Sequence, residues 1–316
     1  MPSPEVRRAR PDDLGAAIEV ATTALGWDPQ DPNESFFRWK HLDNPAGASP
    51  RWVAVDGDDV IGFRSMLRWN FVDAEGDTRP AARAVDTATH PEHHRRGVFR
   101  SLTTVAVDEL AAEGVGFVFN TPNPASRAGY LRMGWLDAGR LSVRVRPAGP
   151  GALLRLARSR VPAAKWSEPV ACGVGIEAVV DELPDLLASL PPVAGLTTRR
   201  TVDHLRWRYG FEPLHYRVVR DDGGLAIVRL RRRGACRELV LAELLAADRA
   251  AARRLGAAIR RTFDVDHVLA LSRAPHSLPP MVPAPGLGPR LTLRDLATPS
   301  PAPTDLSFSL GDIELF

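Results

Sequence analysis

Residues Arg83–Arg100 read R-A-V-D-T-A-T-H-P-E-H-H-R-R-G-V-F-R, and the order of elements in this stretch sets the fold. Arg83 to Thr89 reads as a strand, Pro91 turns the chain, and a helix is predicted from Gly97 to Glu113. Its apolar positions Val98, Leu102, Val105 and Leu110 recur at helical spacing, and Gly114 follows as a stop. A helix that starts straight out of a loop exposes N–H groups with no partner inside the helix, and the positive end of its dipole adds to them. Phosphate suits such a place. Gly97 lets the backbone approach a ligand closely. Arg95, Arg96 and Arg100 can add charge and paired hydrogen bonds to phosphate oxygens. A solvated basic loop capping a helix is the plainer alternative.

Working outward, the first half alternates strands and helices. Glu5–Arg10 is a strand, Pro11–Leu25 a helix with proline in its tolerated first turn, and Ser35–Leu42 a second helix ended by Asn44-Pro45. Arg51–Val55 and Val60–Trp69 flank a turn-rich Asp56-Gly57-Asp58-Asp59 and form a hairpin. Beyond the quoted stretch, Gly116–Asn120 is a buried strand and Pro124–Met133 a helix. A comparable series runs later: helix Val202–Tyr209, hairpin His215–Arg220 with Leu225–Leu230, strand Glu238–Leu245, helix Asp248–Thr262, strand His267–Leu271. Phe37-Arg38-Trp39-Lys40-His41 followed by Pro45 matches Leu205-Arg206-Trp207-Arg208-Tyr209 followed by Pro213, so duplication is expected, with Trp39 and Trp207 as core anchors. The reading divides the chain into 1–146, a connector 147–170, and 171–316.

The 316 residues suit two domains of about 150 each. Hydrophobic content of 44% with 25% charged residues is the profile of a soluble globular protein. A formal charge of +3 and the lack of long like-charge runs speak against a nucleic-acid partner. Arg229–Arg233 reads as a solvated strand end. Two cysteines, Cys172 and Cys236, make no disulfide framework and no metal spacing, so no metal is expected. The N-terminus lacks an apolar signal core, and no stretch approaches the roughly 20 apolar residues of a membrane span. A cytoplasmic protein without membrane partners is expected; a homodimer is left open.

A second block follows the quoted stretch: Asn123-x-x-Ser126-x-x-x-Tyr130-x-x-x-Gly134-Trp135, whose spacing places Asn123, Ser126 and Tyr130 along one helix face. Together the two blocks resemble the GNAT superfamily of acyl-CoA N-acyltransferases. That family's pyrophosphate loop reads [Gln/Arg]-x-x-Gly-x-[Gly/Ala] after Val-x-Pro. This chain has His94-Arg95-Arg96-Gly97-Val98-Phe99 after Thr89-His90-Pro91, with His94 in place of Gln or Arg and Phe99 in place of a small residue. The family's second block reads Asn-x-x-Ala-x-x-x-Tyr-x-x-x-Gly-Phe. The resemblance implies an α/β (α+β) fold of two GNAT-like domains, each a mixed central sheet flanked by helices. It also implies acetyl-CoA as acyl donor, held by Ala88, Thr89, His94 to Arg100 (including Val98 and Phe99), Asn123, Ser126 and Tyr130. Tyr130 would face the departing thiolate. A backbone N–H at Ala88 or Thr89 would bind the oxyanion where two parallel strands splay.

Acyl transfer needs a neutral amine, an oxyanion contact and a proton source for the thiolate. Asp86 or His90 could accept the amine proton; Asp86 could equally bond to backbone or an arginine, and Tyr130 could be a half-buried packing residue. The second half has no phosphate loop between its strand ending at Leu245 and the helix from Asp248, so it reads as a degenerate copy that completes the acceptor cleft or stabilises the first domain. The expected acceptor is a small-molecule primary amine. Trp39-Lys40-x-x-x-Asn44-Pro45 and Pro122-Asn123-Pro124-x-Ser126 resemble transferases encoded near cell-surface polysaccharide genes, which points to an amino sugar. A non-catalytic acyl-CoA-binding module and, less favoured, tRNA-dependent aminoacyl transfer remain the alternatives.

Overall fold

The structure is a computed structural model that describes residues 4–159, 161–271, 278 and 281–314. In chain order the elements are β1 (Glu5–Arg8), α1 (Leu14–Leu25), α2 (Asn33–His41), β2 (Arg51–Asp56), β3 (Asp59–Val72), β4 (Thr78–Thr89), α3 (Val98–Ala112), β5 (Phe117–Asn120), α4 (Pro124–Arg132) and β6 (Leu136–Arg140). They continue as β7 (Val143–Pro147), α5 (Pro150–Arg158), α6 (Leu183–Ser189), β8 (Leu196–Thr198), α7 (Val202–Gly210), β9 (Arg217–Asp221), β10 (Gly224–Arg233), β11 (Cys236–Ala246) and α8 (Arg249–Thr262). The last are β12 (His267–Leu271), β13 (Val282–Pro283), β14 (Arg290–Asp295), β15 (Leu306–Ser307) and α9 (Leu310–Ile313). Among the described residues no helix is long and apolar enough to cross a membrane.

Two compact units interleave along the chain. The first comprises Met1–Phe71, Thr78–Gly139 and Arg290–Ala302; the second holds Val72–Asp77, Arg140–Pro289 and Pro303–Phe316. The expected cut at 146/147 falls inside β7, which pairs with β12 through Val143↔Leu271 to Pro147↔His267 and so belongs to the second unit. In return β14 crosses to the first unit and inserts between β5 and β6. Buried Thr292 bonds Asn120 at 2.5 Å and Arg290 pairs with Asp137 at 2.7 Å, which fixes β14 in that slot.

The first sheet runs β1-β2-β3-β4-β5-β14-β6. Trp52, Phe63, Trp69, Phe71 and Phe119 are fully enclosed in it, each worth roughly 1.5–3 kcal/mol of burial. β4 and β5 run parallel, but their pairing covers only Ala81↔Phe117 to Arg83↔Phe119. β4 continues six residues beyond Arg83, so the two strands part there. Asp86 has a left-handed φ of 39°, tolerated by Asp because its side chain can bond locally. This irregularity changes the facing of the strand. Ala82 and Ala84 pack under α3, whereas Ala88 packs with Ala17, Val20 and Phe37 on the α1–α2 side.

The second sheet runs β13-β7-β12-β11-β10-β9, and its core joins Val228, Leu239 and Leu241 to Leu255 and Ile259 of α8. Its β11 and β12 are parallel, as are β4 and β5 in the first unit. Each unit also links the last turn of an aromatic-basic helix to a carboxylate on a strand: His41 to Asp86 at 2.8 Å, and Tyr209 to Glu243 at 2.8 Å. Trp39 and Trp207 are both buried. The expectation of a solvated strand end at Arg229–Arg233 is corrected. Strand alternation turns Arg229 and Arg231 inward, Arg229 is fully buried, and Arg231 and Arg233 both bond buried Glu238 at 2.8 Å. Only Arg232 of the run faces outward. Cys172 and Cys236 are free thiols.

Candidate active site

The phosphate-loop stretch builds one wall of a cleft of about 630 Å³ in the first unit. α3 begins at Gly97, whose φ is 79°, and no side chain caps the helix. Arg95 is also left-handed, at 64°. Positive φ at two residues separated by Arg96 curls the main chain into the kind of concavity that binds anions, ahead of a helix whose first-turn N–H groups have no intrahelical acceptor. A Cβ on Gly97 would meet no atom within 4 Å, so the space beside it is open, yet its backbone conformation favours glycine. Arg95 and Arg100 line the cleft with His94, Val98 and Phe99. Arg96 does not: its guanidinium turns to Asp56 at 2.6 Å, where it holds the Asp56 carboxyl below its ordinary range. That engagement weighs against the phosphate role expected of Arg96.

The second unit shows the contrast. Its α8 starts directly after β11, and Asp248 accepts from the Ala251 N–H at 2.8 Å. A carboxylate already occupies the place where an anion would sit.

The opposite wall is α4. Asn123 caps it by accepting from Ser126 N–H at 2.8 Å, and Ser126 Oγ donates to the same oxygen at 2.9 Å. Asn123 and Ser126 line the cleft beside Ala125, Ala128, Gly129, Arg132 and Met133. That set went unnoticed in the sequence, although 125, 128, 129, 132 and 133 fall at helical spacing and are small at the start. The set explains Phe99. A Cβ on Gly129 would lie 2.9 Å from Phe99 Cε1, so glycine on α4 makes room for the large residue in the loop. Phe99 stands edge-on to Tyr130, with ring centroids 5.2 Å apart. Tyr130 is only 3% exposed, packed also against Trp135, and its hydroxyl accepts from Arg64 Nη2 at 2.9 Å. It lies behind the lining of the cleft rather than half-exposed within it.

Thr87, Ala88 and Thr89 line the cleft where β5 has left the side of β4. His90 N–H donates to Ile61 O on β3 at 2.8 Å. Backbone groups alternate sides along a strand, so Thr89 N–H faces the vacated edge and Ala88 faces β3. The Asp86 side chain is largely enclosed, at 8% exposure, and its Oδ2 bonds both Lys40 Nζ and His41 Nε2 at 2.8 Å, while His41 Nδ1 bonds Ser49 Oγ at 2.9 Å. Burial alone would push the Asp86 carboxyl up, but the Lys40 ammonium and the His41 contact outweigh it and hold the group below the usual carboxylate range. Burial pushes His41 down against the pull of Asp86. A carboxylate paired with both Lys40 and His41 is engaged structurally, which weighs against the base role expected of Asp86. His90, Glu92 and His93 bring ligand-type atoms within 4.8 Å of one another. Arg96 Nη1 stands 2.6 Å from His93 Nδ1, and a guanidinium there opposes a cation.

The family description "Acetyltransferase (GNAT) domain" matches residues 5–137, the span that carries the cleft, its phosphate loop and α4. Residues 5–137 are a GNAT domain. That matched span is the one built around the splayed β4 and β5. Among solved structures, the fold is similar to that of a probable N-acyltransferase from Enterococcus faecalis V583, at 12% identity and a TM-score of 0.67, covering 93% of this chain and 73% of that one. A GCN5-related N-acetyltransferase from Kribbella flavida is similar at 17% identity and a TM-score of 0.64, covering 93% and 72%. Eis1 from Mycobacterium abscessus is similar at 17% identity and a TM-score of 0.61, covering 93% and 74%. No curated protein sequence matches the chain. These likenesses span 93% of the chain and concern its fold alone.

Proposed function

We propose that the chain transfers an acetyl or related acyl group from acetyl-CoA to the primary amine of a small molecule, with an amino sugar as the favoured acceptor, by direct attack in a ternary complex. The observation that carries this reading is the uncapped start of α3, with Arg95 and Gly97 left-handed, at the head of a 630 Å³ cleft that leads to the gap between β4 and β5. Acetyl-CoA supplies an activated thioester and a thiolate leaving group. The main-chain amides of Gly97 to Arg100 hold its diphosphate, and Arg95 and Arg100 add charge. Ser126 and the small residues of α4 flank the pantetheine arm. Thr89 N–H is the oxyanion contact, a reading supported by the departure of β5 from that edge. Tyr130 is the proton source for the thiolate.

The test is calorimetric titration with acetyl-CoA followed by thiol-release assays on a panel of amines. Gly97→Glu places a carboxylate beside the diphosphate and should abolish binding; undiminished affinity would put the donor site elsewhere. Tyr130→Phe should lower turnover far more than affinity. Binding without turnover on any amine would favour a non-catalytic acyl-CoA-binding module instead.

A further inference from the structure

Arg64 sits in the middle of β3 and is fully buried. Its Nη2 donates to Tyr130 Oη at 2.9 Å, and its guanidinium carbon lies 5.3 Å from the Tyr130 ring centroid and 5.7 Å from that of Phe99. Nε and Nη1 are buried and bond nothing, and among the described residues no carboxylate pairs with the group. A buried cation without a counter-ion costs several kcal/mol, and a hydrophobic residue of similar volume serves packing better. Met66, two residues on, and Ala82 and Ala84 of β4 share the same apolar cluster under α3. Packing therefore does not account for an arginine at this position.

We infer that Arg64 is a positioning residue for departure of the thiolate. This rests on the role given above to Tyr130. A phenol oxygen carries one proton and accepts through its lone pairs, whereas a guanidinium only donates. With Arg64 Nη2 on a lone pair, the Tyr130 proton must point away from Arg64, and no protein group among the described residues accepts it. The proton is thus not taken by any described protein group, and transfer to the thiolate requires the sulfur to reach the hydroxyl behind the lining of the cleft. When the tetrahedral intermediate collapses, the carbonyl re-forms, the C–S bond breaks, and sulfur keeps the electron pair. The Tyr130 O–H proton passes to sulfur, giving the free thiol and a phenolate. The attacking nitrogen loses its extra proton to solvent, and water reprotonates the phenolate. Arg64 acts at the phenolate stage: a fixed, buried cation faces the oxygen as its charge appears.

The experiment compares Arg64→Met, Arg64→Lys, Tyr130→Phe and the Arg64→Met/Tyr130→Phe double variant in the full chain, reading kcat, KM, acetyl-CoA affinity and melting temperature. Arg64→Met should lower kcat about 10- to 100-fold, a loss of the size seen when one preorganised donor is removed. Acetyl-CoA affinity should stay within about twofold, and the melting point should not fall, because an unpaired buried charge has been removed. Arg64→Lys should recover part of kcat. The double variant should be no slower than Tyr130→Phe alone, since both changes act through one oxygen. A melting-point loss with wild-type kcat would make Arg64 structural and overturn the inference, as would losses that multiply in the double variant. If the wild-type chain transfers acyl groups and Tyr130→Phe is impaired while Arg64→Met is not, this inference alone falls. A wild type that neither binds nor turns over acetyl-CoA removes the functional reading and this inference together.

Discussion

Asp86→Asn separates a structural carboxylate from a catalytic one. In the native chain the carboxylate bonds Lys40 Nζ and His41 Nε2, both at 2.8 Å, and Lys40 and His41 have no exposed surface. The substitution keeps the volume but leaves the Lys40 ammonium buried beside a neutral amide. Breaking a buried pair from one side costs about 3–5 kcal/mol. At about 2–4 °C per kcal/mol for a unit of this size, the melting temperature should drop by about 6–20 °C. The measurement is thermal unfolding by circular dichroism, alongside thiol release at a temperature where both proteins are folded. Lys40→Met in the same background removes the stranded charge and should regain at least half of the lost stability, because replacing both partners by neutral groups is often close to neutral. A variant that melts within about 2 °C of wild type yet loses turnover would refute the reasoning, and would return Asp86 to the role of base.

Arg96→Ala should leave acetyl-CoA affinity within about twofold, because its guanidinium is engaged with Asp56, whereas Arg95→Ala or Arg100→Ala should weaken it several-fold in low salt; equal losses in titration calorimetry would contradict this. Gly129→Ala should destabilise the chain by about 1–3 kcal/mol through overpacking against Phe99, but in a Phe99→Ala background it should stabilise by about 1 kcal/mol through helix propensity. Urea denaturation that shows the same sign in both backgrounds would exclude the proposed contact. Burial holds His204 down to about 3, so only the unfolded chain takes up that proton as pH falls below about 6.5. Stability should fall with acid across that window, by about 2 kcal/mol between pH 6.5 and 5, and His204→Gln should flatten this slope. Parallel slopes in the two proteins would show that His204 is protonated in the folded state.

The start of α3 was legible because an apolar helical period, a preceding glycine and three arginines coincide within a few residues. The α4 block was legible because a cap, a tyrosine and a glycine recur at fixed spacing. Arg64 was not, since β3 is buried on both faces and offers no alternation by which an inward arginine could be told from an outward one. The environment of Asp86 depends on a left-handed residue that breaks strand periodicity, and nothing local announces it. Arg96 stands between the cleft arginines Arg95 and Arg100 in sequence yet serves Asp56, a partner 40 residues away. β14 is a six-residue strand read from the far end of the chain, and sequence distance hides its pairing with β5.

That returning strand bears on how the protein comes into being. About 290 residues must leave the ribosome before the sheet holding the cleft can close, so the cleft is among the last parts of the chain to mature. Until then β5 presents an open apolar edge of the kind that pairs with stray strands. An N-terminal fragment stopping at Gly139 keeps every cleft-lining residue and should still aggregate, and supplying Arg290–Ala302 as a separate peptide should rescue its solubility.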